Sequence, residues 1–454
     1  MTYTGASTIR EWTLPVQSHL HKRRYTCWTA ALGVSLLLAS CATEPATPAE
    51  SSTPSDTTAD AGTVSEPAEN ITITTPDGQE LAYQEISLDS VSPLTESDGF
   101  AVTTEWESPD GRNANLVALD GTTALLELSD KDAVDMGKME VLSSTRMATL
   151  NLDTEETIEF DGTEDLGLDE NYRVPAGGDL SMHSAAWLET TGLQAGWENW
   201  RLFATAPEAG AQPRLVTRNE DFDDTDNALM NVSGPSIVGD RILLGVTTPD
   251  DAGHITSNVV TYGVGGEGPT IEMTNGVAPV PLSSGFAAFA TIFDESLVGD
   301  TEEEPAASPY RVGDLVLTEF DGEPEAFLSI TAEDEADPRN VPVGSLAADG
   351  GSLIAFTSNT HLYVTPADGT QTHRIALGGT PTVDDVQVCG ERVLWSQEST
   401  NAEGANHWYM YDTSTQSVGE VPVGDGVYSV VCSASTVVWQ EGSETPGKIT
   451  AATW

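Results

Sequence analysis

Lysine is scarce in this chain: the 454 residues include four, at positions 22, 131, 138 and 448. Lysine and arginine together number 18 against 72 aspartates and glutamates, which gives a formal net charge of −54. Such a charge repels phosphate backbones and anionic lipid headgroups, so it argues against nucleic acid as a partner and against membrane docking by charge. The acids are spread over nearly every segment, which favours a solvated surface suited to salty or alkaline surroundings over a dedicated cation site.

Catalytic motifs are missing as well. Downstream of Cys41 the sequence has no H-E-x-x-H, H-x-H or C-x-x-C pattern, no G-x-S-x-G nucleophile elbow and no phosphate-binding glycine loop. Five histidines lie far apart in that part of the chain, at positions 183, 254, 361, 373 and 407. We therefore predict no cofactor and assign no catalytic residue from the sequence.

The chain also lacks an apolar run of the 20 or so residues that a transmembrane helix needs. A shorter run of about a dozen, WTAALGVSLLLAS, follows the basic residues 21–24 and fits the apolar region of a signal peptide. Leu38, Ala39 and Ser40 then lead directly into Cys41. This stretch closely resembles the lipobox of bacterial lipoproteins, which implies diacylglyceryl attachment to the Cys41 sulfur and cleavage before it.

A lipid on Cys41 predicts that the protein is held at the extracytoplasmic face of the cell membrane, because two acyl chains supply an anchoring strength that one cannot. The following residues are Ser, Thr, Pro, Ala and acids with almost no large apolar side chain, which predicts a disordered tether. The sequence thus divides into a signal peptide (1–40), a lipidated cysteine with its linker (41–69) and a folded domain (70–454).

The folded domain is predicted to be all β. Its apolar residues come in short alternating runs separated by turn residues, without a helical stripe of useful length. The segments NLVALDGTTALLELS (115–129) and HWYMYDTSTQSVGEV (407–421) both have the pattern strand, turn, strand.

A repeat of roughly 40 to 50 residues runs through this domain. VQVCGERVLWSQ (386–397) aligns with YSVVCSASTVVWQ (428–440), so that Cys389 matches Cys432 and Trp395 matches Trp439. Similar hairpins end in a bulky residue at Trp106, Trp187, Leu244, Phe289 and Phe356. Four strands per repeat are typical of a propeller blade, in which such side chains pack between neighbouring sheets. We predict one β-propeller of seven blades, with an eighth possible around 139–160; a pair of β-sandwich domains is the alternative.

The last repeat shows three strands, and an open edge would expose unpaired backbone groups. We therefore predict that an N-terminal strand, NITITTP (70–76), closes the ring. Cys389 and Cys432 occupy equivalent places in consecutive repeats, and disulfides persist in exported proteins, so a bond between them is plausible if their Cα atoms lie within about 7 Å.

One repeat is close enough to a known family to name. SLAADGGSLIAFTSNTHLYVTPADGTQTHRIAL (345–377) resembles the TolB-like propeller repeat, and SPDG (108–111) and TTPDGQELAY (74–83) echo its turn. The resemblance implies a propeller that serves as an interaction platform in the bacterial envelope. It brings no catalytic residue onto this chain.

Two functions remain open from the sequence. The first is a membrane-anchored, monomeric lipoprotein whose propeller binds or scaffolds an unidentified envelope protein or other ligand. The second is an extracytoplasmic hydrolase or lyase acting on carbohydrate, with carboxylates in the central channel. The catalytic carboxylate pair of such an enzyme is defined by its separation in the folded protein, so the lack of a sequence motif does not exclude it. Acidic clusters at 219–227, 294–305 and 331–338 offer oxygen ligands for calcium but lack the EF-hand spacing, so solvated loops are predicted there.

Overall fold

The computed structural model describes residues 71–88, 91–130, 134–135, 140–141, 145–161, 174–190, 200–218, 221, 234–249, 255–293, 310–332, 343–358, 360–377, 383–398, 406–424, 427, 429–441 and 448–454. Nearly all regular structure in these ranges is β, apart from one 3₁₀ turn at Glu96–Asp98. None of the described helical segments has the length and apolar character needed to cross a bilayer. Cys41 and its lipobox residues lie outside the described part.

Three strands come before the repeated sheets: β1 (Ile71–Thr74), β2 (Tyr83–Ile86) and β3 (Ala101–Glu107). Blade 1 then contains β4 (Asn113–Asp120), β5 (Thr123–Ser129), an inserted hairpin of β6 (Val134–Asp135) and β7 (Glu140–Val141), β8 (Arg146–Asn151) and β9 (Thr157–Glu159). Blade 2 contains β10 (Val174–Ser181), β11 (Ser184–Thr190), β12 (Arg201–Thr205) and β13 (Arg214–Arg218). Blade 3 contains β14 (Ser236–Val238), β15 (Arg241–Pro249), β16 (Ile255–Gly263) and β17 (Thr270–Thr274).

The remaining blades repeat this antiparallel order. Blade 4 contains β18 (Gly276–Leu282), β19 (Gly285–Phe293), β20 (Tyr310–Glu319) and β21 (Glu325–Ala332). Blade 5 contains β22 (Val343–Ala347), β23 (Leu353–Ser358), β24 (His361–Pro366) and β25 (Thr372–Ala376). Blade 6 contains β26 (Val383–Cys389), β27 (Arg392–Glu398), β28 (Asn406–Asp412) and β29 (Ser417–Glu420). Blade 7 contains β30 (Ser429–Cys432), β31 (Thr436–Gln440) and β32 (Lys448–Thr453), with β3 as its fourth strand.

The first strands of the seven blades contact one another in cyclic order, from β4 through β10, β14, β18, β22 and β26 to β30, which returns to β4. These strands therefore lie innermost, around a central axis. Seven apolar clusters fill the seven interfaces between neighbouring blades, including the interface of blade 7 with blade 1. A closed ring of seven blades is the result, as the sequence predicts.

The bulky residues that mark the repeat lie between blades, where the sequence places them. Trp187 belongs to the cluster between blades 1 and 2, Trp395 to that between blades 5 and 6, and Trp439 to that between blades 6 and 7. Phe289 and Phe356 meet between blades 4 and 5. All five are at most 5% exposed, so their role in inter-blade packing is confirmed.

Closure by an N-terminal strand is confirmed, but the predicted strand is wrong. The strand that completes blade 7 is β3, whereas Ile71–Thr74 forms a fifth strand on blade 4. Segment 71–74 alternates in polarity and 101–107 does not, but Trp106 of β3 is the side chain that fills the interface between blades 7 and 1.

A second correction concerns the first blade. The hairpin ending in Trp106 is not part of a blade of its own, since it supplies the outer strand of blade 7. The first complete blade begins at Asn113, and the segment suspected to be an eighth blade provides its third and fourth strands, β8 and β9. Gly121, with φ of 58°, makes the tight turn between β4 and β5, the first two strands of this blade.

Candidate functional site: the N-terminal belt and its groove

Residues 71–107, which we call the N-terminal belt, run along the outer edges of four neighbouring blades. β1 pairs antiparallel with β21 of blade 4, and β2 pairs parallel with β25 of blade 5. At blade 6, Leu94 N donates to Glu420 O (2.8 Å) and Glu420 N donates to Ser92 O (3.0 Å). β3 then pairs antiparallel with β32 of blade 7. The belt thus satisfies backbone groups that outer strands would otherwise leave unpaired.

The belt also contributes an apolar side chain to each blade interface that it passes. Ile73 packs between blades 4 and 5, and Ile86 packs between blades 5 and 6. Phe100 enters the cluster between blades 6 and 7, where its ring stacks on Trp439 with centroids 6.4 Å apart. Trp106 enters the cluster between blades 7 and 1. Burial of these four side chains holds the belt on the ring.

An arginine fixes β2 to blade 5. The guanidinium carbon of Arg374 lies 3.9 Å from the ring centroid of Tyr83. The Nε of Arg374 donates to Glu85 Oε1 at 2.7 Å. Tyr83 and Glu85 are two residues apart in one strand, so their side chains lie on the same side and one arginine contacts both.

The belt crosses blade 6 at close range. Leu94 lies so near Gly419 of β29 that a Cβ at position 419 would collide with the leucine side chain. Glycine at this position therefore lets the two backbones approach each other.

Beside this crossing lies a groove of about 650 Å³, which we call the belt groove. One wall is the belt between Gln84 and Asp98. The other is blade 6, with Met410 and the hairpin that joins β28 to β29. Arg392 and Trp454 also line the groove. A space of this volume is within the usual range of small-molecule sites.

The blade 6 hairpin presents hydroxyl and amide groups that Asp412 holds in place. Its Oδ1 accepts hydrogen bonds from the backbone nitrogens of Ser414 (2.9 Å) and Thr415 (3.2 Å). Gln416 has a φ of 54°, and its Oε1 accepts a bond from Gln84 Nε2 of the belt at 2.9 Å. The hairpin and the belt are therefore connected directly across the groove.

Two charged groups in the groove compensate each other. Arg392 Nε lies 3.1 Å from Asp412 Oδ2, and the guanidinium carbon lies 5.4 Å from the ring centroid of Trp454. Burial acts to raise the pKa of Asp412, but hydrogen bonds from Ser414 and Thr415 and the charge of Arg392 outweigh it and hold the pKa below its usual range. Asp412 is therefore ionised and paired at neutral pH.

Near the central axis, Asp179 links two inner strands. Its Oδ2 accepts a hydrogen bond from Ile237 N of blade 3 at 2.6 Å, and its Oδ1 accepts one from Leu180 N at 2.8 Å. Burial raises the pKa of Asp179 to about 6, with a smaller contribution from the charge of Asp120, although the two backbone bonds oppose the shift.

This shift predicts a pH dependence of stability. Because the folded protein holds the Asp179 proton more tightly than the unfolded chain, the stabilisation is complete below pH 4 and is lost as the pH rises through about 6. We expect the unfolding free energy of the wild type to fall by roughly 2–3 kcal/mol relative to Asp179→Asn between pH 4 and 7. Denaturant titrations across this range measure it. The exposed carboxylate Asp130, replaced in Asp130→Asn, is the control, and equal pH profiles for wild type and Asp179→Asn would contradict the prediction.

The two downstream cysteines form the predicted disulfide. Cys389 of blade 6 and Cys432 of blade 7 are bonded, with Cα atoms 5.7 Å apart. Gln387 reinforces the same seam, because its Oε1 accepts from Cys432 N (3.2 Å) and its Nε2 donates to Val430 O (2.7 Å). Neighbouring blades are thus joined covalently near the axis.

The histidines are spread over the ring. His361 and His373 are buried in blade 5, His407 is in blade 6, and His183 is in the turn between β10 and β11. Burial lowers the pKa of His373, which favours its neutral form. His254 lies outside the described residues. In the part of the chain that the structure describes, no three or more His, Cys, Asp or Glu side chains are grouped to hold a metal ion.

Most of the three acidic clusters also lies outside the described residues. Asp221 is described, and its Oδ2 accepts bonds from Thr217 Oγ1 and Arg218 N, both at 3.1 Å. This carboxylate therefore caps the end of β13. The calcium hypothesis stays untested.

The fold places the chain in the class of seven-bladed β-propellers. No family model and no curated protein matches the sequence. Among solved structures, the propeller domain of the trilobed protease from Pyrococcus furiosus is similar at 11% identity, over 75% of this chain and 93% of that chain, with a TM-score of 0.48.

Other solved propellers are similar at comparable levels. An acylaminoacyl peptidase from Pyrococcus horikoshii matches at 10% identity over 72% of this chain, with a TM-score of 0.46, and this chain spans 49% of the peptidase. The uncharacterized protein lmo1340 from Listeria monocytogenes matches at 9% identity over 80% of this chain and 92% of that chain, with a TM-score of 0.42. At such identities the similarities assign no activity.

Proposed function

We propose that this protein is a lipid-anchored lipoprotein whose propeller is a binding or scaffolding platform on the extracytoplasmic side of the membrane. The anchor is Cys41, and the support for it is the lipobox-like Leu38, Ala39 and Ser40 after an apolar run. The disulfide between Cys389 and Cys432 fits an oxidising compartment.

The observation that carries the proposal is the place where the tether joins the ring. The described chain begins at Ile71, which pairs with Ala332 of β21 on the outer edge of blade 4. Because β1 is held at the circumference, we infer that an anchor connected to it leaves both faces of the ring and its axis open to a partner. A propeller presented in this way can bind a ligand while its anchor stays in the membrane.

A hydrolase with channel carboxylates is the alternative that the sequence leaves open. Asp179 is a carboxylate of an inner strand with a raised pKa, as such an enzyme requires. Both of its oxygens are already occupied by backbone N–H groups, from Leu180 and Ile237. This geometry suits a structural link between blades, and no observation favours the enzyme.

Membrane fractionation of the full-length protein in its own host tests the anchor. We expect Cys41→Ala to abolish incorporation of a palmitate analogue and to move the protein out of the membrane fraction. Cys27→Ala is the matched control, because it removes the other N-terminal cysteine outside the lipobox, and it should behave like the wild type. Retention and labelling of Cys41→Ala would refute the anchor.

Chemical crosslinking of the wild type in intact cells tests the platform. The expected result is a reproducible envelope partner whose yield drops when charges on one face of the ring are reversed. If the yield is indifferent to changes on either face, the ring is not the platform.

A further inference from the structure

About a third of the residues that line the belt groove carry hydroxyl or carboxamide groups, which both donate and accept hydrogen bonds. Gln84 and Ser92 come from the belt, and Thr415, Gln416 and Ser417 come from the blade 6 hairpin. Hydroxyl and carboxamide groups can serve in either role. The chemical partner that they match is a ligand whose own groups also do both, which is the property of sugar hydroxyls.

Charged ligands fit this groove poorly. Arg392 is the cation of its lining, and it is already paired with Asp412. The carboxylate of Glu85 is paired with Arg374, and Asp98 Oδ2 accepts from Thr95 N at 2.9 Å. The described lining therefore offers a phosphate no unpaired cation. An ammonium group would have to compete with the groups that already pair with the lining carboxylates.

The groove lining also includes apolar side chains, although Met410 is 6% exposed and the Arg392 guanidinium lies over the Trp454 ring. Trp454 and Met410 both line the groove, and Trp454 Nε1 donates to Ala434 O at 3.2 Å, which fixes the indole ring. Sugar rings combine hydroxyl edges with apolar C–H faces, so they fit a wall that offers both kinds of surface.

The polar wall is held in place before any ligand arrives. Asp412 orders the hairpin through Ser414 and Thr415, and the bond between Gln84 and Gln416 fixes the belt opposite. Groups that are already immobilised lose little conformational entropy on binding.

We propose that the belt groove binds a neutral saccharide, as a disaccharide or as one or two units of a longer glycan. The ligand contacts the belt and blade 6 together and thereby clamps the belt to the ring. This assignment goes beyond the anchored platform and does not depend on Cys41.

Binding is tested on the full-length protein in a detergent without a sugar headgroup. Maltose, cellobiose and N,N′-diacetylchitobiose are the probes, followed by saturation-transfer NMR and calorimetry, and inorganic phosphate and a lysine-rich peptide are the comparators. We expect saturable binding of at least one disaccharide and none of the comparators. We also expect the bound sugar to slow hydrogen exchange in residues 84–94.

Variants locate the site. Thr415→Val and Gln416→Asn should each weaken the binding by about tenfold or more, since each removes or withdraws one polar contact. The matched control is Thr370→Val in the blade 5 hairpin, where Asp368 Oδ1 accepts from Thr370 N at 3.0 Å as Asp412 does from Ser414. It should leave the affinity unchanged, and circular dichroism checks that all variants fold.

Several results would overturn the proposal. They are the absence of binding by all three disaccharides to folded protein, preferential binding of phosphate or the peptide, and equal weakening by Thr370→Val. Because these measurements need no membrane, their outcome is independent of the anchoring experiment.

Discussion

Replacing Trp106 with alanine should reduce the free energy of unfolding by about 3–5 kcal/mol, the usual cost of deleting a buried tryptophan. Trp106 is 4% exposed, lies opposite Ile449 in the sheet of blade 7 and belongs to the apolar cluster in the interface that closes the ring. Without the indole, β3 loses the side chain that fixes it between blades 7 and 1. Guanidinium titration followed by circular dichroism measures the change.

Val102→Ala is the matched control because it changes the same strand on its outer side. Val102 is 57% exposed, so its truncation should cost at most about 0.5 kcal/mol. If the two variants have the same stability, then β3 is not held by Trp106, and the closure described above is wrong.

Removing the disulfide is the second large change. In the chain-entropy model, a bond that closes a loop with a sequence separation of 43 contributes roughly 4 kcal/mol. We therefore expect Cys389→Ala combined with Cys432→Ala to lower the unfolding free energy by about this amount. Alanine avoids a new buried hydroxyl, since Cys389 is 0% exposed.

Reduction of the wild type provides the control for this prediction. Reduced wild type and the double variant should unfold at similar denaturant concentrations, both well below the oxidised wild type. An oxidised wild type no more stable than the double variant would mean that the loop constraint contributes nothing to this ring.

The sequence predicts the blade architecture well, because it depends on local patterns. Each blade has alternating strands, and a bulky residue such as Trp187 or Trp395 recurs at the same place in the repeat. The cysteine pair is predictable for the same reason, since Cys389 and Cys432 hold matching positions in consecutive repeats. Because each repeat folds into one blade that packs against the next, residues at matching positions in consecutive repeats become neighbours in space.

The belt is much harder to predict. Pairing at a sheet edge is made by backbone groups, which carry little side-chain information, so β1 and β3 look equally able to close the ring. A signal was nevertheless present in the apolar series Ile73, Ile86 and Phe100, which recurs at intervals of 13 and 14 residues ahead of Trp106.

The belt groove could not be predicted from local patterns. Its lining comes from residues near 84–98, from the hairpin before β29 and from Trp454, and the first of these segments lies hundreds of residues from the other two in the chain. The groups involved are common surface residues, Ser, Thr and Gln, without a motif. These residues come close together only in the folded protein, where the belt lies along blade 6.

The belt has a consequence for how the ring is made. It is synthesised before all of its partners: Thr331 bonds to Thr72 across 259 residues, and Thr103 bonds to Ala451 across 348. Contacts of such sequence separation form slowly, because a long loop must close before they give any stabilisation. Ile73, Phe100 and Trp106 therefore lack their packing partners until the later blades have been synthesised, and β32, which follows every other described strand in the chain, is the one that pairs with β3. A chain cut short before Lys448 lacks the strand that pairs with β3, so β3 stays exposed even though the partners of β1 and β2 are present.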